Sequence, residues 1–514
     1  MKASELIDSK YIKESINLDE KIEIDIKGIG YHSGEIRDGY LFVAIKGYIT
    51  DGHKYIRNAI DNGAILAIVE EFVDENIAQI KVKNSRKALS SISAKFYNNP
   101  SKDIKTIGVT ATNGKTTTTF MLNQIYEEAG FKTGIVGSVL NKVGEDYAPA
   151  YLTTPESLDL HKFFNKMREE KVERVIMEAS SSALELYRVD DVDFDIVSFN
   201  NFSREHIDQH GSFENYWKYK SSLITGVKEE GISILNIDDR KIKTLLNREN
   251  KNMIPFSIEN DKGLIYCENV HLDMGRANFD VIIKEDIELL NGNIKKDKFH
   301  ISLGIPGLHS LENAMMAIVI ALADNISSEV IIKALKEFKG VERRFEYIYE
   351  DDFLIIDDHF ANVKNINITL ETLSKIPRNK LHLIYAIRGN RGVTVNKENA
   401  ETLISWKEEL GLEEIVATRS IGNVTDKDKV SNDEERVFKE IINESGLKLH
   451  LFDGLEEAIK YSLKDIEDGD VVLLAGCQGM DYGGEIALNY ISEIRDDIDE
   501  KKLFAPLRRR VVGS

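Results

Sequence analysis

The stretch Gly108–Thr119 reads GVTATNGKTTTT. A turn of small residues, then one lysine, then a run of hydroxyls suits the holding of a polyphosphate. Backbone N–H groups of such a turn converge on an anion. A helix beginning at Lys115 adds its positive dipole end. Lys115 supplies a mobile point charge for phosphate oxygens. The Thr116 hydroxyl is placed to hold a magnesium ion that bridges phosphates. Gly108, Thr112, Asn113, Gly114 and Thr117 complete the expected nucleotide contacts. The general pattern G-x-x-x-x-G-K-[ST] is missed by one position, because Val109 stands where its first glycine belongs.

A phosphate loop needs a strand before it and a helix after it. Thr106–Thr110 reads as that strand and Lys115–Ala129 as that helix, with Gly130 placed to cap its end. The grammar repeats. VERVIMEAS reads as a buried strand ending at Glu178, DFDIVSFNN as one ending near Asn200, and GISILNID as a third. Helical stretches between them predict a mostly parallel sheet. Upstream, Tyr40–Ile45 and Ile65–Glu70 read as short strands, and YNNPSKD (Tyr97–Asp103) as a linker. Leu264–Leu303 reads as short strands, followed by helices at Ser310–Ala323 and Ser327–Phe338. Beyond KGVERRFEYI a fresh alternation begins, with strands at Phe353–Ile356, Leu381–Ala386, Glu414–Thr418, Leu447–Phe452 and Asp470–Ala475. The fold class is α/β in three domains. Residues 1–100 form a smaller N-terminal domain, 101–338 a central P-loop domain with flanking helices, and 339–514 a Rossmann-like domain.

Composition agrees with that size. The 514 residues are 42% hydrophobic and 30% charged, and the formal net charge is -20. The acidic excess argues against general nucleic-acid binding. No apolar run approaches a membrane span, and MKASELIDSK lacks the layout of a signal peptide. Cys267 and Cys477 are far apart and read as reduced thiols of a cytoplasmic protein. Monomer is the default, since no coiled-coil seam is evident.

The phosphate loop resembles that of the Mur ligases, roughly G-[IV]-T-G-T-N-G-K-T-T, with Ala111 in place of the inner glycine. The resemblance extends over nearly the whole chain and is closest to the MurE-type UDP-N-acetylmuramyl-tripeptide synthetase. It is carried by Gly39–Glu71, by TTPESLDLHKFF (Thr153–Phe164) and by the block MEASSSALELYRVDDVDFDIVSFNNFSREHIDQHGSFENYWKYKSSL. It implies an amide-bond ligase that uses ATP and Mg²⁺. A carboxylate attacks the γ-phosphoryl group to give an acyl phosphate, and an amine then displaces phosphate. Both steps gather negative charge, so fixed cations matter more than a side-chain nucleophile.

The resemblance also implies roles. Lys115, Glu178, His206 and Lys220 are the catalytic set. Thr116, Glu178, His206 and Lys220 are the magnesium-associated residues, Lys220 as a carbamate formed with CO₂. On composition alone Lys220 reads as a surface lysine of an amphipathic helix. Asn313 stands near the adenine, Arg344 reaches the ATP phosphates, and Asp357 opens the family's D-Y-A-H-x-P segment. Ser33 falls on a uridine-contacting serine, and Thr153, Thr154, Ser180 and Arg188 on the acceptor carboxylate and its carrier. His210 belongs to the substrate side.

Departures cluster in the last domain, where the family selects the amine. D-Y-A-H-x-P is replaced by DDHFANV, and G-[CG]-G-G-[DN]-R-D by AIRGNRG, with Arg388 and Arg391 as added cations on the substrate side. The D-N-P-R signature is absent near Thr418, where the chain reads ATRSIGNVTDKD. Met480 takes the place of the glutamate that meets the distal end of diaminopimelate, and Ser182 that of a histidine. These changes argue against diaminopimelate. Arg388, Arg391 and Arg419 suit a carboxylate-rich amino acid instead. The expected function is therefore addition of an amino acid to a UDP-N-acetylmuramoyl-dipeptide or a related carboxylate. The alternatives are a paralogue making a non-cell-wall peptide or poly-amino acid, and a silent nucleotide-binding protein.

Overall fold

The structure is a computed structural model. It describes all residues except 18–22, 49, 204–209, 248–251, 274, 291, 496–497 and 511–514. Contacts divide the chain into two compact units. One holds residues 1–266, 282–297 and 315–330, the other residues 267–281, 298–314 and 331–514.

The first unit begins with a five-stranded sheet of β1 (Ile12–Ile16), β2 (Gly28–Gly30), β3 (Tyr40–Val43), β4 (Ala64–Val69) and β5 (Ala78–Val82), in the order β1-β5-β4-β3-β2. Side chains alternate across a strand. Leu41, Val43, Leu66 and Ile68 therefore pack on one face, and Phe42, Ala67 and Val69 on the other with Ile56 and Ala59 of the helix Ile56–Asp61. β3 and β4 are buried on both faces and so read as apolar runs, whereas β1, IKESI, is exposed.

The strands that position the phosphate loop follow. They are β6 (Lys105–Thr110), β7 (Thr133–Val136), β8 (Leu140–Val143), β9 (Asp146–Pro149), β10 (Arg174–Glu178), β11 (Ile196–Phe199), β12 (Ile232–Asn236) and β13 (Met253–Ser257). Their order is β13-β12-β11-β6-β10-β7-β8-β9. All neighbours are parallel except β7–β8 and β8–β9, which are antiparallel hairpins that the sequence reading did not contain. Their sequences, LNKV and DYAP, carry polar residues; the side chain of Lys142 is nevertheless buried, donating to Asn123 Oδ1 at 3.1 Å and Thr133 Oγ1 at 2.6 Å and pairing with Glu127.

After β6 the helix Lys115–Glu128 buries Met121, Leu122, Ile125 and Tyr126 against the sheet. Gly130, at φ +88°, closes it as expected. The strands β14 (Ile265–Asp273), β15 (Arg276–Ile283) and β18 (Asp297–Pro306), with the short pair β16 (Ile287–Leu289) and β17 (Gly292–Ile294), fill the region read as short strands.

In the second unit β19 (Glu346–Glu350), β20 (Leu354–Asp358), β21 (Leu381–Ala386), β22 (Glu414–Thr418), β23 (Lys448–Phe452) and β24 (Val471–Ala475) form a sheet ordered β19-β20-β24-β21-β22-β23. Only β19 runs antiparallel. Clusters of apolar side chains cover each face. Among the described residues no helix is long and apolar enough to cross a membrane. Cys267 and Cys477 are buried and are not joined in a disulfide.

One core residue sets a pH limit on this fold. His161, on the helix Ser157–Glu169, is fully buried, and neither ring nitrogen has a hydrogen-bond partner among the described residues. Burial lowers its pKa to about 4. The folded state thus wants the neutral ring, and stability present above the unfolded value near 6.5 is lost as pH falls from there toward 4. Between pH 7.5 and 5 the loss from this group is about 2 kcal/mol. His161→Leu is expected to remove that part of the acid sensitivity, read by urea unfolding at the two pH values; an unchanged difference between them contradicts it.

Candidate active site

β6 lies between β10 and β11, so the loop that follows it emerges at the carboxyl edge in the middle of the sheet. Open parallel sheets bind ligands at that edge. Gly114, at φ +86°, turns the chain into the helix, a geometry that suits glycine. Ala111 is buried and is not among the residues with positive φ, so its methyl group brings no backbone strain. The loop is braced by the chain beyond β11. Asn201 accepts from Thr112 N with its carbonyl and from Asn113 N with Oδ1, both at 2.9 Å. Thr112 Oγ1 accepts from Ser203 N at 3.0 Å and meets the Tyr216 hydroxyl at 3.2 Å.

Two lysines converge on this loop. Lys115 Nζ donates to the carbonyls of Ala111 at 2.9 Å and Thr112 at 3.1 Å. Lys220 Nζ donates to the same Ala111 carbonyl at 2.6 Å and to Thr110 Oγ1 at 3.2 Å. Lys220 is 1% exposed. The surface position read from composition is therefore corrected: the helix Phe213–Thr225 buries Tyr216, Lys220, Leu223 and Ile224 as one stripe. Two cations on one carbonyl at the head of a helix make an electrostatic seat for a polyanion. Thr116 and Thr117 are half-buried on the first turn of that helix.

Gly108 does not belong to the loop. It sits inside β6 between Met177 and Val197, and a Cβ there would lie 2.8 Å from the Phe194 ring. The absence of a side chain there serves packing against Phe194.

Glu178 closes β10 and is 1% exposed. Its Oε1 accepts from Ser138 N at 2.8 Å and its Oε2 from Ser138 Oγ at 3.1 Å. A Cβ at Gly137 would stand 2.7 Å from Oε1, so glycine makes room for the carboxylate. Ser138, which sequence reasoning missed, follows β7 at the same sheet edge, and its Oγ lies 3.0 Å from Thr153 Oγ1. Thr154 Oγ1 donates to the Glu178 carbonyl at 2.7 Å and lies 3.2 Å from Ser180 Oγ. Thr153, Thr154, Ser180 and Glu178 thus come together. Carboxylate and hydroxyl oxygens are the hard donors a magnesium ion takes, so Glu178 and Thr116 fit that ion. His206 lies outside the described residues.

Arg188 is anchored beside them. Its Nη1 donates to the Thr154 carbonyl at 3.0 Å, and its Nη2 lies 2.8 Å from Glu156. Glu156 also receives Arg86 Nη1 at 2.8 Å. Arg86 and Glu156 are 70 residues apart and carried no sequence signal. Ser33 is half-buried, its carbonyl accepting from Asn62 Nδ2 at 2.9 Å. His210 is buried, with Nδ1 2.9 Å from Glu185 Oε2 and Nε2 2.9 Å from Ser181 Oγ. Those contacts fix the helix Ser181–Glu185 next to Ser180.

In the second unit Asn313 is buried on the helix Leu308–Ala323. Arg344, Arg343 and Arg388 crowd His359, whose pKa falls to about 3 through burial first and then through those cations. Asp357 sits among buried cations. It is fully buried, with Oδ1 3.2 Å from Arg343 Nε and Oδ2 2.8 Å from Arg510 Nη1. Arg391 pairs with Asp428 at 3.3 Å, and Arg419 with Glu435 at 3.3 Å and Asp453 at 3.2 Å. Arg388 donates to the Ala361 carbonyl, and its Nε has no partner among the described residues.

The Mur ligase middle domain matches residues 109–321, the Mur ligase glutamate ligase domain residues 343–478, and the Mur ligase family catalytic domain residues 25–97. A UDP-N-acetylmuramoyl-L-alanyl-D-glutamate–2,6-diaminopimelate ligase of Clostridium botulinum is 33% identical over 487 residues, 93% of each chain.

The chain belongs to the Mur ligase family.

A ligase of the same name from Clostridium tetani is 34% identical over 90% of this chain and 92% of its own. Among solved structures, a diaminopimelate ligase of that name superposes with a TM-score of 0.65 at 20% identity, covering 91% of this chain and 93% of the other. The MurF ligase of Thermotoga maritima, solved with ADP, superposes with a TM-score of 0.57 at 20% identity, covering 93% and 98%. These likenesses establish the three-domain α/β Mur ligase fold. Mur ligases use ATP and Mg²⁺, and this one is an ATP-dependent amide-bond ligase.

Proposed function

We propose that this Mur ligase joins an amino acid to the free carboxylate of UDP-N-acetylmuramoyl-L-alanyl-D-glutamate in the cytoplasm, acting as a monomer. The observation that carries the reading is the convergence of Lys115 and Lys220 on the Ala111 carbonyl, in the sheet that also presents Glu178. The triphosphate sits on the loop, where Lys115 offsets the charge that gathers as the γ-phosphoryl group moves to the carboxylate. Glu178 and Thr116 are the residues that would hold a magnesium ion, which would supply charge neutralisation on the phosphates. Thr153, Thr154, Ser180 and Arg188 orient the acceptor, Arg188 being fixed by Glu156. Ser33 receives the uridine end.

The names of the relatives give 2,6-diaminopimelate as the amine. A second reading, another amino acid in that place, is favoured by Met480. The resemblance puts a carboxylate there, whereas this side chain is fully buried in the core with Ile459 and Leu488. A thioether gives a distal ammonium group no counter-charge. Arg391 and Arg419, the cations proposed for a carboxylate-rich amine, already hold carboxylates of their own.

Phosphate release with ATP, Mg²⁺ and the UDP-muramoyl dipeptide, run against diaminopimelate and a panel of other amino acids, separates the readings. Turnover with one amine at least tenfold above the rest is expected. Diaminopimelate as that amine removes the second reading, and silence across the panel removes the acceptor.

A further inference from the structure

The turn that carries Arg344 is strained. Arg343 and Phe345, on either side of it, have φ of +54° and +53°, left-handed backbone that L side chains rarely adopt. Backbone contacts hold the turn, among them Arg344 N to the Val341 carbonyl at 2.9 Å. Arg343 N donates to Glu346 Oε2 at 3.0 Å, Phe345 N to Asp358 Oδ2 at 2.7 Å, and His359 N to the Arg343 carbonyl at 2.8 Å. The Arg343 side chain ties the turn to the loop after β24, donating to the Cys477 carbonyl at 3.1 Å and also to Gly476 O and Asp481.

Two of the carboxylates in this cluster receive a guanidinium from far along the chain. Arg510 Nη2 donates to Glu346 Oε2 at 2.5 Å, and its Nη1 lies 2.8 Å from Asp357 Oδ2. The Arg510 side chain is 4% exposed. Gly484, in the first turn of the helix Gly483–Ile494, makes this approach possible. A Cβ there would lie 2.6 Å from Arg510 Nη1 and 3.4 Å from Asp357 Oδ2. Its φ is not positive, so the glycine serves space and not backbone freedom.

We propose that Arg510 is a positioning residue for Arg344: by pinning Glu346 and Asp357 it fixes the left-handed turn that carries Arg344. The inference rests on the phosphate-reaching role given to Arg344. Without Arg510, Asp357 and Asp481 share the Arg343 guanidinium, and Glu346 loses its ion pair. Buried carboxylates left short of cations take up protons or move. The Arg343 N–H then loses its acceptor, and a turn held against its backbone preference relaxes.

The test is steady-state kinetics of the full chain with ATP varied, for Arg344→Ala, Arg510→Ala, Gly484→Ala and the double variant Arg344→Ala/Arg510→Ala. Gly484→Ala leaves every charge in place and only crowds Arg510 out. Arg344→Ala is expected to raise KM for ATP and lower kcat. Arg510→Ala and Gly484→Ala should do the same, lowering kcat/KM for ATP about tenfold with KM for the amino acid unchanged. Arg510→Lys should recover part of the loss, and the double variant should be no worse than Arg344→Ala. Wild-type KM for ATP in Arg510→Ala, or additive losses in the double variant, overturns the inference and leaves the role of Arg344 standing. Wild-type kinetics of Arg344→Ala overturns both. If Arg510→Ala does not fold, Gly484→Ala decides by the same readouts.

Discussion

Replacing Lys115 by alanine is expected to lower kcat about a thousandfold and to weaken nucleotide binding as well. The ammonium group is the one mobile cation on the phosphate loop, within 3.1 Å of two of its carbonyls. When a triphosphate binds, the ammonium is expected to exchange these carbonyl oxygens for phosphate oxygens. That exchange strengthens as charge builds on the transferring group, so the loss falls on kcat and not on affinity alone. The loop itself should survive. Asn201 brackets Thr112 and Asn113 without help from the lysine, and Thr112 Oγ1 is held by Ser203. Arginine should not restore activity, because its planar fork is wider than a point charge. Phosphate release, titration of a fluorescent ATP analogue and a thermal melt separate the three effects. A folded Lys115→Ala protein releasing phosphate at the wild-type rate would remove the loop from the reaction.

The parts of this site that were legible in the sequence are local. A strand, a small-residue turn and a helix beginning at Lys115 follow one another within 20 or so residues, and each has its own signature. Glu178 was legible for the same reason, since a buried strand ends on it. Leu381–Ala386 and Glu414–Thr418 coincide with β21 and β22, because apolar runs bounded by polar turns mark buried parallel strands. What escaped is either long-range or disguised. Glu156 with Arg86, and Asp357 with Arg510, are pairs made by topology, and no spacing announces them. Lys142 disguises a buried strand residue as a polar one. Gly108, inside the strand read at Thr106–Thr110, is a packing glycine whose Cβ position is taken by Phe194, and no local signal announces that neighbour. Lys220 did leave a signal. It stands four residues after Tyr216 and three and four before Leu223 and Ile224, on the buried stripe of its helix. A lysine in a core position of a 3.6-residue repeat is evidence of a special environment.

That environment leads to the second large effect. Lys220→Ala is expected to cost at least a hundredfold in kcat, and wild-type activity is expected to fall reversibly in CO₂-free buffer. A buried ammonium is expensive unless paired. Lys220 Nζ is 2.6 Å from the Ala111 carbonyl, the same oxygen that Lys115 approaches to 2.9 Å. Seating a second like charge so close raises the cost of keeping both protonated. A neutral amine at Lys220 can instead add CO₂, forming a bond from Nζ to carbon and releasing one proton. The carbamate nitrogen keeps one N–H to donate to the Ala111 carbonyl, while its two oxygens carry the negative charge that Lys115 and a magnesium ion favour. The side chain thereby changes from a competitor of Lys115 into its partner. Labelled bicarbonate should give a carbamate resonance in wild-type protein and none in Lys220→Ala. Short carboxylates such as acetate should restore part of the alanine variant's activity by entering the vacated space, and Lys220→Arg should recover nothing. Wild-type turnover that is indifferent to removal of CO₂, with no carbamate resonance, would leave Lys220 a structural cation on the loop.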